Sequence, residues 1–207
     1  MQHRTWKSVS AGGAEFILGI SNISDVSKCG MLPMIAFVGA SNVGKSTLIN
    51  EICANQNLSR TSKFPGHTRQ VNIFKIDQKF LLADMPGYGF AKRSKIEILR
   101  LKSLIFNFLA AADGLRLVNV LIDIRKGLRP HDIEIIEHLS VQGRQVQVIL
   151  TKSDQISQEE QIQEKDKMIV SLNNIFGIKA NVILFSSKFS VGVKELGASM
   201  VHSFSHV

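Results

Sequence analysis

The stretch GASNVGKSTLIN, residues 39–50, decides the fold of this chain. It has the pattern G-x-x-x-x-G-K-S, follows the apolar run of residues 34–38, and leads into a segment with helical character. A strand end, a glycine-rich turn and a helix N-terminus direct several backbone N–H groups at one point, where the helix dipole also favours negative charge. The stretch therefore predicts a phosphate-binding P-loop.

The segments around the P-loop alternate between strand and helix patterns. Strands are predicted at residues 34–38, 71–76, 80–83, 117–122, 146–150 and 182–185, and helices at 44–53, 96–112, 130–139, 155–176 and 193–204. Such alternation predicts an α/β fold with a mostly parallel six-stranded sheet and helices on both faces. We assign a further strand near residues 15–20 to an N-terminal arm, residues 1–32, and the remainder, 33–207, to one domain.

Composition narrows the class of protein. With 207 residues, 44% of them hydrophobic, the chain suits one globular domain. No apolar run approaches the roughly 20 residues of a membrane-spanning helix. The two cysteines lack metal or redox spacing, which indicates a reduced, cytosolic compartment. The net charge of +8 fits either a solvated basic surface or a polyanionic partner.

Polar residues follow the predicted strands, at the edge where α/β sheets bind ligands. In DMPG, residues 84–87, Asp84 would lie on the Mg²⁺ side and Gly87 could bring a backbone N–H to a γ-phosphate. In TKSD, residues 151–154, the Asp154 carboxylate could accept from the paired N–H donors of guanine, with the stem of Lys152 over the ring. Adenine lacks that donor pair, so the nucleotide is predicted to be GTP or GDP.

The phosphate chemistry assigns a role to two P-loop side chains. Lys45 would bridge the β- and γ-oxygens, and the Ser46 hydroxyl would bind Mg²⁺. A threonine in the long loop before residue 71 could also reach Mg²⁺ and sense the γ-phosphate. Thr68 is preferred because a Pro-Gly turn precedes it, and Thr61 is the alternative.

Six strings carry a resemblance to a known family: GASNVGKST, PGHTRQVNIF, DMPGYGFAK, LIDIRKGLRPHDIEIIEHL, LTKSD and FSSKFSVGVKEL. Together they resemble the EngB (YsxC) family of bacterial ribosome-biogenesis GTPases, over nearly the whole chain. The resemblance implies a three-layer Ras-like GTPase domain, GTP hydrolysis with Mg²⁺, assembly of the large ribosomal subunit, and a link to cell division and septation. The alternatives are a GTP sensor without turnover and a division-apparatus scaffold with incidental GTP binding.

Motif and resemblance together give the expected site. The residues expected to act on the transferred phosphate are Lys45, Thr68 and Gly87. The expected Mg²⁺ side chains are Ser46, Thr68 and, through a water molecule, Asp84. The nucleotide contacts are expected from Gly39, Ala40, Ser41, Asn42, Val43, Gly44, Lys45, Ser46, Thr47, Pro65, Gly66, His67, Thr68, Arg69, Gln70, Asp84, Met85, Pro86, Gly87, Thr151, Lys152, Ser153, Asp154, Phe185, Ser186 and Ser187.

Three finer expectations concern single residues and the basic surface. Asn42 either helps to hold K⁺ or is a turn residue that tolerates a left-handed conformation. Tyr88 stands where Ras-like proteins carry a water-orienting glutamine, which predicts weak intrinsic hydrolysis. Basic residues beside the second glycine loop and after the fourth strand either contact ribosomal RNA or form solvated surface: Lys92, Arg93, Lys95, Arg125, Lys126 and Arg129. We expect a monomer without membrane insertion.

Overall fold

The structure, a computed structural model, describes Trp6 and residues 13–56, 58–59, 70–89 and 94–204. This part of the chain forms seven strands: β1 Ala14–Ile20, β2 Met34–Gly39, β3 Val71–Ile76, β4 Phe80–Asp84, β5 Leu115–Asp123, β6 Val146–Thr151 and β7 Asn181–Phe185. Its α-helices are α1 Lys45–Ile52, α2 Lys95–Ala111, α3 Pro130–Val141, α4 Gln158–Phe176 and α5 Val193–Phe204. A 3₁₀ helix, Ile23–Cys29, follows β1.

The described strands form one mixed sheet in the order β1-β3-β4-β2-β5-β6-β7. The pairs from β4 to β7 are parallel, whereas β3 pairs antiparallel with both β1 and β4. The predicted α/β class and the predicted strands are confirmed, but the count of six strands is wrong. The strand predicted near residues 15–20 is the seventh, β1, and it covers the backbone groups that β3 would otherwise expose at the sheet edge.

Two apolar cores lie on opposite faces of the sheet. One lies under α2, α3, α4 and the 3₁₀ helix, and the other lies under α1, α5 and Trp6. Every residue of β2 and β6 is buried. Strands that are covered on both faces carry nearly continuous apolar runs. These two strands can therefore be recognised from the sequence.

Local sequence fixes where the helices begin. Ser157 and Glu160 form a reciprocal capping box at the start of α4, and Ser94 caps α2 by accepting from the Glu97 backbone N–H. Pro130 occupies the first turn of α3, where its missing N–H costs nothing. In the described part of the chain no helix is long and apolar enough to cross a membrane.

Gly192 offers a test of backbone crowding just before α5. Its φ is +81°, and an added Cβ would lie 2.0 Å from the carbonyl oxygen of Leu184. Gly127 has a φ of +59° with nothing within 4 Å of its added Cβ. Gly127→Ala should therefore cost only the left-handed penalty of about 1–2 kcal/mol, whereas Gly192→Ala should cost a further ~1–3 kcal/mol through overpacking. Urea unfolding of both variants measures the difference, and equal losses would contradict the crowding.

Candidate functional site

The P-loop links the end of β2 to α1 in a conformation that depends on its glycines. Gly44 has a φ of +104° and stands immediately before α1. Gly39 lies so close to β5 that an added Cβ would be 2.9 Å from the Leu121 carbonyl oxygen. The two glycines of the pattern therefore serve the turn itself and the packing of the loop on the sheet.

The loop after β4 runs directly beside the P-loop. The Ser41 N–H donates to the Tyr88 carbonyl oxygen at 2.9 Å, and residues 40 and 88 form a parallel bridge. An added Cβ at Gly87 would lie 2.9 Å from Ser41 Oγ and 3.1 Å from Ser41 Cα. Only glycine fits this approach without displacing the P-loop, so the second predicted glycine loop has a steric reason for its composition.

Lys45 and Asp84 form a buried ion pair between α1 and the end of β4. Lys45 Nζ contacts Asp84 Oδ1, and the two side chains are 8% and 1% exposed. The Ser59 hydroxyl donates to the other carboxylate oxygen, Oδ2, at 2.8 Å. Ser59 is itself held by Asn50, whose side chain accepts from the Ser59 N–H at 2.7 Å and donates to its carbonyl oxygen at 2.8 Å.

The loop after β6 is tied to the same P-loop from the other side. The Thr151 hydroxyl donates to the Val43 carbonyl oxygen at 2.8 Å, and Lys152 Nζ donates to the Asn42 carbonyl oxygen at 2.9 Å. Lys152 Nζ also donates to Asp123 Oδ2 at 3.0 Å, at the end of β5. Lys152 thus joins the loops that follow β2, β5 and β6.

Asp154 is oriented by the loop after β7. Its Oδ1 accepts from the Ser186 hydroxyl at 2.7 Å, and its Oδ2 accepts from the Gln155 amide at 2.6 Å. These hydrogen bonds, first from Ser186 and then from Gln155, lower the pKa of Asp154 below its usual value. The carboxylate is therefore ionised at neutral pH, the form that accepts hydrogen bonds at both oxygens.

Tyr88 directs its side chain away from the P-loop. Its hydroxyl donates to Asp132 Oδ1 at 2.5 Å in the first turn of α3, where Oδ2 accepts from the Arg129 N–H at 2.9 Å. Burial, and then the charge and hydrogen bond of Asp132, raise the pKa of Tyr88 well above its usual value. The phenol therefore stays protonated and donates to a buried carboxylate.

The remaining predicted residues are placed as follows. Residues 65–69, which include Thr68, lie outside the described residues, as do Thr61, Lys92 and Arg93. Gln70 lies against Gly19 of β1 and donates to Asn72 at 3.1 Å. Met85, Pro86 and Phe185 are buried, whereas Ser187 is exposed. Asn42 has a φ of +63°, the left-handed conformation that its interpretation as a turn residue requires.

The donor set beside the P-loop fits Mg²⁺ bound together with phosphate. Asp84 supplies a buried carboxylate and Ser46, one residue after Lys45, supplies a hydroxyl. Mg²⁺ is commonly held by one or two carboxylates and by phosphate oxygens. Among the described residues no cluster of three or more His, Cys, Asp or Glu side chains could hold a metal without such help.

A separate cavity of about 590 Å³ opens at the opposite end of the strands, near the starts of β6 and β7. Its described lining includes Arg144, Gln147, Asn181 and Ser199, and none of the predicted site residues. Apart from Gln70, the predicted residues that the structure describes lie instead at the carboxyl ends of β2, β4, β6 and β7.

Sequence reasoning missed two contributors to this cluster. Ser59 and Asn50 carry no motif, and only the contacts of the folded chain join them to Asp84. Asp123 stands at the end of an apolar run in the sequence, but its contact with Lys152 depends on the alignment of β5 and β6, in which residues 123 and 151 are partners.

Comparison with known proteins gives consistent results. The family model described as 50S ribosome-binding GTPase matches residues 34–152. The probable GTP-binding protein EngB of Rickettsia felis is 40% identical over 187 residues, which are 90% of this chain and 86% of that protein. A crystal structure of a probable GTP-binding protein engB aligns with a TM-score of 0.66 and 25% identity, covering 84% of this chain and 100% of that chain. Aquifex aeolicus Era, solved bound to GDP·AlF4⁻, shares the fold with a TM-score of 0.66 and 23% identity, covering 82% of this chain and 56% of that chain.

The Tyr88 contact gives a prediction that separates stability from turnover. Tyr88→Phe removes a hydrogen bond to a charged group and should lower the free energy of unfolding by about 1.5–3 kcal/mol. GTP turnover at saturating nucleotide should stay within about twofold, because the hydroxyl contacts α3. Urea unfolding and a phosphate-release assay test both statements. A large loss of turnover with unchanged stability would place the hydroxyl at the reacting phosphate instead.

Proposed function

Because the chain belongs to the EngB family of GTP-binding proteins, a family of ribosome-binding GTPases, we propose that it hydrolyses GTP as a molecular switch in assembly of the large ribosomal subunit. The observation that carries this proposal is the convergence of four loops on one edge of the sheet. Hydrogen bonds of Ser41, Thr151, Lys152 and Asp154 join these loops. The loops comprise residues 39–44, 84–88, 151–154 and 186.

The phosphate end of the proposed site uses the P-loop backbone, Lys45 and Ser46. Backbone N–H groups at the start of α1 favour an anion. Lys45, now paired with Asp84, would turn to the β- and γ-oxygens when a triphosphate arrives. Asp84, Ser46 and Thr68 would hold Mg²⁺, which when bound neutralises charge on the β- and γ-phosphates.

Base selection would rest on Asp154 and Lys152. Both Asp154 oxygens can accept from guanine, and the hydrogen bond from Ser186 orients the carboxylate beforehand. The contact of Lys152 with the Asn42 carbonyl holds its stem beside the P-loop. The backbone N–H near Ser187 would contact guanine O6.

Slow intrinsic turnover is part of the proposal. Gly87 would contact the γ-phosphate through its N–H, and Thr68 would order its loop around GTP. Tyr88, at the position of a water-orienting glutamine, is engaged by Asp132, which supports weak hydrolysis in the absence of a partner. The K⁺ role of Asn42, the action in the cytoplasm, the monomeric state and the connection with cell division stay predictions.

The partner is proposed from the family description, which names the 50S ribosome. The net charge of +8 fits a polyanion such as ribosomal RNA. Among the basic residues after β5, Arg125 is already engaged by Asp123, with Nη2 2.7 Å from Oδ2. Lys95 at the start of α2 is exposed, and with Lys92 and Arg93 it forms the proposed contact.

Base choice is tested with Asp154→Asn. The amide donates where the carboxylate accepted, so GTP affinity should fall by about one to two decades, from ~1.5–3 kcal/mol per charged hydrogen bond. XTP affinity should rise, because xanthine carries an acceptor at that position. The matched control is Asp166→Asn on the exposed side of α4. Titrations in which the mutant keeps the preference of the wild type for GTP would refute the guanine assignment.

Partner binding is tested by sedimentation with 50S subunits at several salt concentrations. Binding should be tighter with a non-hydrolysable GTP analogue than with GDP, and GTP turnover should rise when subunits are present. Replacing Lys92, Arg93 and Lys95 with alanine should reduce the salt slope by about two units, at ~0.7 per phosphate contact. The control variant replaces Lys165, Lys167 and Lys179 with alanine, which makes the same change in net charge outside the proposed contact. Equal binding in both nucleotide states would contradict the switch, and absent turnover with subunits would favour a sensor.

A further inference from the structure

Asp123 is a buried carboxylate at the carboxyl end of β5, in the loop that faces the P-loop. Its side chain is 5% exposed. Three cationic side chains surround it: Arg125, Lys126 and Lys152. A buried ionised carboxylate is costly unless its oxygens accept hydrogen bonds. The role of Asp123 therefore has to be inferred from the geometry of these contacts.

Arg125 holds Asp123 from the solvent side through two parallel hydrogen bonds. Its Nε donates to Oδ1 at 2.9 Å and its Nη2 donates to Oδ2 at 2.7 Å. The Arg125 backbone N–H also donates to Oδ1 at 3.2 Å. This two-point contact fixes the plane of the carboxylate, which a single lysine contact could not do.

Lys152 takes the remaining position on Oδ2, facing the P-loop. Its Nζ lies 3.0 Å from Asp123 Oδ2 and 2.9 Å from the Asn42 carbonyl oxygen. The backbone of Lys152 has a φ of +59°, so its Cα is held in a conformation that residues other than glycine rarely adopt. With both ends fixed, the four-carbon stem has a defined path between the P-loop and Asp123.

Asp123 is ionised at neutral pH. Burial opposes ionisation of Asp123, but the hydrogen bonds from Arg125 and Lys152 outweigh it and hold the pKa of Asp123 well below its usual value. A free lysine side chain loses rotamer entropy when a ligand fixes it. Fixing the stem before a base arrives removes that cost from binding, which is how preorganisation raises affinity.

We propose that Asp123 is a positioning residue for guanine-nucleotide binding: with Arg125 behind it, it fixes Lys152 so that the lysine stem is in place for the base. The inference rests on the proposed function, because Lys152 matters only if a base lies against it. It adds the loop of residues 123–125, which carries none of the expected nucleotide contacts, to the determinants of affinity. Asp123 acts through Lys152 and does not itself contact the nucleotide.

The test measures the dissociation rate of GDP carrying a fluorescent ribose label, chased with unlabelled GDP. Asp123→Asn should raise this rate about tenfold, whereas kcat at saturating GTP should stay within about twofold. The matched control, Asp113→Asn, changes the same group at an exposed position and should have no effect. An unchanged dissociation rate in Asp123→Asn would overturn the inference.

A double-mutant cycle separates positioning from a general structural role. If Asp123 acts through Lys152, adding Asp123→Asn to Lys152→Ala should change the dissociation rate less than twofold. A further tenfold increase on the Lys152→Ala background would overturn the inference, because the effect would then bypass the lysine.

A second variant keeps the test valid if Asp123→Asn fails to fold. Arg125→Lys retains the charge at a side chain that is 40% exposed but removes the two-point contact. It should raise the dissociation rate about threefold, and no change would count against the inference. If the wild type does not bind the labelled GDP, the proposed function fails first. If the wild type binds but the variants match it, only the role of Asp123 fails.

Discussion

The buried contact between Lys45 and Asp84 is the constraint on which the candidate site depends. It joins the first turn of α1 to the end of β4 and places opposite charges in a region that is almost closed to solvent. An uncompensated charge there would be costly, so each group needs either the other or a ligand that replaces it. A phosphate for Lys45 and a divalent cation for Asp84 are such replacements, and in the proposed function they arrive together.

Backbone groups of the P-loop hold the two loops that flank it. The carbonyls of Asn42 and Val43 accept from the loop after β6, while the N–H of Ser41 donates to the loop after β4. The P-loop backbone is therefore bonded on both flanks. A loop fixed in this way can present its N–H groups to a ligand without reorganising first, which favours tight binding of an anion.

Much of the fold and of the candidate site could be predicted, because the sequence patterns that indicate them are local. The P-loop pattern, the apolar strands and the polar residues at strand ends follow from short-range sequence, and the parallel topology then brings those ends to one edge. The seventh strand was legible as a strand but not as a member of the sheet, because β1 is half-exposed and its pairing depends on β3, more than 50 residues later. Ser59 and Asn50 could not be found for a similar reason: the serine contributes only through its contact with the buried Asp84, and the asparagine only through its contacts with that serine.

The single tryptophan and the single tyrosine of the chain are intrinsic optical probes. The chain has one Trp and one Tyr. Tyr88 joins the P-loop through its backbone and α3 through its phenol, while the Trp6 indole N–H donates to the Ile52 carbonyl oxygen at the end of α1, at 2.6 Å. The indole thus lies at the end of α1, whereas the phenol lies against α3, beside the loop that flanks the P-loop. A ligand that changes the surroundings of either side chain can therefore be followed by ultraviolet absorption or fluorescence without an added label.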